Sequence, residues 1–160
     1  MKYKTDRISN VKNFVAFDDL KNVLFFCDSV TIVNKDVIDF KKMLTSYNIE
    51  VSLLVYIPEV EFEDVNTQFS LIRDMDISYK GEIDGNLLNN VFSKEYDLLF
   101  DLRTENNIIS DYLAKRINSR FVLGCSEKLN GLDMLISTNG KIRTFMESSI
   151  EFLKKLKKSE

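Results

Sequence analysis

The chain has 160 residues, 44% of them hydrophobic and 29% charged, which is enough for one globular domain with its own core and too few for a second full domain. A formal charge of −3 and an isoelectric point near 5.2 exclude a surface built throughout to hold nucleic acid, because that needs a basic balance or stripe. Histidine is absent, which excludes Ser-His-Asp and Cys-His mechanisms and removes the commonest metal ligand.

Cys27, within a predicted core strand, and Cys125, just after another, lack the number and spacing of a zinc site. They read as reduced thiols serving as small buried hydrophobes, with a redox or nucleophilic role as the alternative. Residues 1–7 are basic but run into polar residues, so no secretory signal is visible. No apolar run approaches the ~20 residues that span a bilayer. The expectation is a soluble cytoplasmic protein.

In chain order, the first clear element is the apolar run from Val23 to Cys27, closed by Asp28, which reads as a buried parallel strand. Asn34 or Asp36 then caps a helix carrying Val37, Phe40, Leu44 and Tyr47 on one face. Residues 49–57 form a second strand, stopped by Pro58. Residues 59–76 are the least regular part. Glu59, Glu61, Glu63 and Asp64 read as a solvated loop, with attraction of a cation or basic partner as the alternative, and Phe69 to Ile72 read as a helical turn. Ile77 to Tyr79 read as a short edge strand before Gly81, and Asp84 caps a helix whose Leu87, Leu88, Val91 and Phe92 face inward.

Residues 97–102 form a fourth strand, with Asp101 near its end. Thr104 is placed as the N-cap of a helix with Ile108, Ile109, Tyr112, Leu113 and Ile117 in a buried stripe. Strands at 120–124 and 132–136 follow, and then a helix with Ile142, Phe145, Met146, Ser149, Leu153 and Leu156 on one side. Its Lys154, Lys155, Lys157 and Lys158 suit the negative end of the helix dipole. Strands alternating with helices define an α/β protein, a three-layer Rossmann-like sandwich with a mostly parallel sheet of about six strands. Residues 1–20 are a polar lead-in and residues 21–158 the single domain. The expected strand order 3-2-1-4-5-6 puts the topological switch between the first and fourth strands, bringing Asp28 and Ser29 near Asp101, Arg103 and Thr104.

Asp28 and Asp101 are a candidate carboxylate pair for metal binding or acid–base work, since each stands where a crevice is expected. The alternative is that each caps a helix or bonds loop amides. Phosphatases of the haloacid-dehalogenase type end the first strand with two aspartates one residue apart, and Asp28 lacks the second. Phospho-receiver domains need an acidic pair at the first strand, also missing, although Lys128 is placed like their lysine. The glycines, at 81, 85, 124, 131 and 140, form no Walker loop and no Gly-x-Gly-x-x-Gly turn, so no cofactor is expected. Lys2, Lys4, Arg7 and Lys12 with Lys154 to Lys158 offer phosphate contacts if the ends meet, and otherwise form a solvated face.

The strand at 95–103 and the segment 111–124 resemble the strand–helix–strand unit of the amino-terminal half of heptosyltransferases, a likeness of fold that implies no glycosyl transfer here, since the second half and the glycine-rich entry loop are missing. The strand at 23–28, residues 55–58 and 76–81, the 97–102 strand and residues 132–136 resemble a family of short bacterial proteins of unknown function, which implies the fold and no activity.

Three functions follow as expectations. The first is a non-catalytic cytoplasmic protein that works by binding, as a homo-oligomer or a subunit of an assembly. The second is a small-ligand carrier or enzyme using the crevice, with Asp28, Ser29 and Asp101 as ligand or metal contacts, Arg103 as an anion contact and Thr104 as a helix-start donor. The third is an association with RNA or ribosomes through the basic ends.

Overall fold

The computed structural model describes residues 2–5, 15–58, 69–139 and 141–156. Its strands are β1 (Lys2–Thr5), β2 (Asn22–Cys27), β3 (Glu50–Tyr56), β4 (Ser70–Ile72), β5 (Glu95–Tyr96), β6 (Leu98–Asp101), β7 (Asn118–Ser119), β8 (Val122–Gly124) and β9 (Met134–Ser137). Its helices are α1 (Ser29–Ile32), α2 (Lys35–Ser46), α3 (Gly85–Leu87, continued by a π-helical turn Leu88–Phe92), α4 (Ile108–Arg116) and α5 (Ile142–Lys155). Seven strands make the main sheet in the order β1-β9-β8-β6-β2-β3-β4. Six of them are parallel, β1 joins β9 antiparallel, and β5 with β7 forms a separate small ladder.

The continuous apolar character of the central strands follows from burial on both faces. In β2, Val23, Phe25 and Cys27 enter the core beneath α2 and α5, while Leu24 and Phe26 enter the opposite core beneath α3 and α4. Leu53, Val55, Leu98 and Phe100 join the first core, and Leu54, Tyr56 and Leu99 the second. The first core is keyed by rings. Phe25 stacks on Phe40 of α2 at 5.6 Å, Phe100 meets both edge-on, and Phe145 of α5 meets Phe100 at 6.1 Å.

The expected order 3-2-1-4-5-6 holds, but its third strand lies at Ser70–Ile72 and not at Ile77–Tyr79. Ile72 is fully buried and Tyr56 pairs with it in parallel register, so tertiary pairing decides a segment too short to declare its own conformation. Ile77 makes a single antiparallel bridge to Ile83 around a turn in which Gly81 takes φ +80°. Within the lead-in, residues 2–5 add an edge strand that the sequence reading does not contain. Tyr47, expected on the inner face of α2, is half exposed and meets Phe17 edge-on at 5.2 Å, with the Lys154 ammonium above both rings. The acidic stretch Glu59–Asp64 and the basic residues Arg7, Lys12, Lys157 and Lys158 lie outside the described residues.

Candidate functional site

β2 and β6 are neighbours whose connections leave in opposite directions, and the crevice opens beyond their carboxyl ends. Asp28 leaves β2 in extended conformation and caps α1. Its Oδ1 accepts from the amides of Val30 (3.1 Å) and Thr31 (3.0 Å), and the Asp28 amide donates to Thr31 Oγ1 at 3.0 Å, completing a capping box. Its Oδ2 accepts from both the amide and the hydroxyl of Thr104, each at 2.7 Å. One carboxylate therefore ties the end of β2 to the loop after β6. Burial pushes the Asp28 carboxyl up, but the Thr104 and Thr31 donors outweigh it and hold it below its ordinary value.

This tie corrects the expectation that Thr104 caps the next helix. With Thr104 engaged by a residue 76 positions away, α4 begins four residues later under Asn107, whose side chain accepts from the Ser110 amide at 2.8 Å. Ile108, expected in the buried stripe, is 89% exposed as the first residue of that helix.

Asp101 and Arg103 are both buried, and they face each other in a fork: Nε to Oδ1 at 2.8 Å and Nη2 to Oδ2 at 2.6 Å. Nη1 lies 3.6 Å from Asp111 Oδ1, and the guanidinium stands 4.8 Å over the Phe26 ring. Burial opposes the charge of Arg103, yet the hydrogen bonds and charge of Asp101, joined by Asp111, raise its pKa above the ordinary value. Asp111 also accepts from Asn130 at 2.8 Å and Asn106 at 3.2 Å, so one network joins β6, α4 and the 125–133 loop. Asp111, Asn106 and Asn130 are additions to the residues foreseen from sequence, and no local signal marks them.

The two aspartates thus stand in separate networks. Ser29 is exposed at the start of α1. Lys128, placed like a receiver lysine, reaches Glu105 at 3.5 Å. Burial pushes the thiols of Cys27 and Cys125 up to about 12, which keeps them protonated at neutral pH. Among the described residues no group of three His, Cys, Asp or Glu side chains is placed to hold a metal.

The Asp28–Thr104 tie stands between two hollows. One, of about 400 Å³, lies toward β8 and β9 and is lined by Thr31, Asn34, Cys125, Ser137, Lys141 and Ile142. The other, of about 420 Å³, lies toward β3 and is lined by Ser29, Tyr56, Glu105, Asn107 and Ser110. Val30, Arg103 and Thr104 border both. Near this crevice Val30 and Val33 are 61% and 70% exposed, and Ile108 stands out at the start of α4.

Fold and crevice define a Rossmann-like α/β sandwich whose central ionisable groups are held by the chain itself. The chain belongs to a family of unknown function, DUF6913, whose family model matches residues 2–156. No curated protein and no solved structure matches it. Among the described residues no helix is long and apolar enough to cross a membrane.

Proposed function

We propose that this protein works in the cytoplasm by binding, without bond-making chemistry, as a partner or assembly subunit whose contact surface is the rim of the crevice. The observation that carries this is the internal engagement of the groups suited to chemistry. Asp28 is filled by donors on Thr104, Val30 and Thr31, and Arg103 lies between Asp101 and Asp111. Exposed Val30, Val33 and Ile108 supply apolar contact area around them. Affinity capture of the tagged chain from its own cells tests it. A stoichiometric partner held by the wild type and lost in Val33→Asp and Ile108→Asp, at unchanged circular dichroism, supports the proposal. A turnover activity of the purified protein that disappears in Asp28→Asn overturns it.

A small-ligand role is favoured by the two hollows, whose volumes of about 400 and 420 Å³ fall in the range of small-molecule sites. Native mass spectrometry of the protein purified without denaturation distinguishes the two. A retained metabolite that is lost on filling the first hollow with Ser137→Phe assigns the ligand to it, and a bare polypeptide mass counts against it.

A further inference from the structure

The parallel crossover from β8 to β9 is made by residues 125–133 alone, without a helix and in fewer than the roughly dozen residues such a connection usually takes. What stands in place of the helix is a strap. Leu129 and Leu132 are buried with Leu135 of β9 in a cluster of their own, apart from the two main cores and resting on Val122. Leu132 occupies the space that a side chain on Gly124 would fill, and Gly131 before it takes φ +76° to turn the chain there. Glu127, Lys128, Asn130 and Gly131 are exposed.

The strap is fastened firmly at its carboxyl end and lightly along its length. Asp133 already belongs to the ladder: its amide donates to the Val122 carbonyl at 3.0 Å, and its Oδ2 accepts from the Val122 amide at 2.9 Å. Asn130 Nδ2 donates to Asp111 Oδ2 of α4 at 2.8 Å, and Lys128 pairs with Glu105 at 3.5 Å with both side chains in solvent. An exposed pair of that kind contributes little, so the hold on the strap comes from Leu129, Leu132 and the Asn130 bond.

The strap also borders a hollow on each side of the sheet. Cys125, Ser126 and Glu127 wall the one of about 400 Å³ that α5 adjoins. Asn130 and Gly131 wall another, of about 360 Å³, over Leu99 and Ile117 beside α4. Because its leucines belong to neither main core, the strap can lift while the rings of the first core and the packing beneath α3 and α4 stay in place.

We propose that residues 125–132 form a gate that lifts as a unit from the folded sheet, with the Asn130–Asp111 bond as its latch, and that lifting opens both hollows together. A molecule that touches the strap in one hollow thereby biases the other. The gate is tested on the protein alone, so its failure leaves the proposed function standing on its own evidence.

The two thiols report on it separately, since Cys125 stands at the root of the strap and Cys27 is fully buried in β2. The full chain is labelled in native buffer with an aromatic disulfide reagent, at concentrations where the rate is proportional to reagent, and each cysteine is followed by peptide mass spectrometry. Cys125 is expected to label at least tenfold faster than Cys27. Asn130→Ala is expected to speed Cys125 by about tenfold and leave Cys27 unchanged, while Lys128→Ala changes neither. Leu132→Ala is expected to speed Cys125 by about a hundredfold or more. A Cys125 rate equal to that of Cys27, a Cys125 rate unmoved by Asn130→Ala, or a rise of both thiols by the same factor in that variant overturns the proposal.

Discussion

Replacing Arg103 by methionine keeps a long apolar stem over Phe26 but removes the guanidinium that fills both oxygens of the buried Asp101 carboxylate. Breaking a buried pair from one side costs about 3–5 kcal/mol, because the remaining buried group must either stay charged without compensation or take up a proton. For a domain of this size each kcal/mol lowers the melting temperature by about 2–4 °C, so the expected drop is roughly 6–20 °C. The loss carries a pH signature. Burial raises the Asp101 carboxyl even beside Arg103, and losing the guanidinium raises it further; a raised carboxyl keeps its proton in the folded chain and releases it in the unfolded one near pH 4, so the variant loses more stability than the wild type as pH rises past about 4. The deficit relative to wild type is therefore smaller at pH 4 than at pH 7. Thermal melts at both pH values, with the double variant Asp101→Leu/Arg103→Met alongside, measure this. The double variant is expected to recover most of the stability by removing the charge together with its partner. A single-variant cost under about 1 kcal/mol at pH 7, or a double variant no more stable than the single, would refute the pairing argument.

Asp28→Asn should cost about 1–2 kcal/mol at neutral pH by weakening the cap of α1 and the charged bonds to Thr104. The Asp28 carboxyl is held below its ordinary value when folded, so its contribution is present above the unfolded value and is lost as pH falls through the lower folded one. Urea melts of the two proteins should therefore converge in strong acid. Gly124→Ala should destabilise by about 1–3 kcal/mol in the same assay, since a Cβ there runs into the buried Leu132 side chain. Cys27, buried, and Cys125, partly buried, should react with an aromatic disulfide reagent at pH 8 far more slowly in the folded protein than in urea, and equal rates would contradict their protonated state.

The sheet was legible because its central strands are apolar on both faces, a pattern that Val23 to Cys27 and Leu98 to Phe100 carry without outside help. The switch between them placed Asp28 beside Thr104, and Thr31 three positions after Asp28 already spells a capping box. What the sequence could not show depended on distant partners. Thr104 has every local property of an N-cap, and only its bond to Asp28, across the chain, passes that task to Asn107. β4 has one fully buried residue in three, which no periodicity can reveal, and its identity comes from the register it shares with Tyr56. Arg103 resembled an anion contact because a cation at a strand end usually faces solvent, whereas here Asp101, two positions earlier, and Asp111 of α4 enclose it.

The antiparallel seating of Lys2–Thr5 on Met134–Ser137 has a bearing on how the chain is made. β1 leaves the ribosome well before β9, the strand it pairs with among the described residues, so it waits without that neighbour while the intervening segments are being translated. The pairing of β1 with the sheet is completed only after β9 has emerged, and until then the nascent chain presents both β1 and the growing sheet as open templates for pairing with other chains.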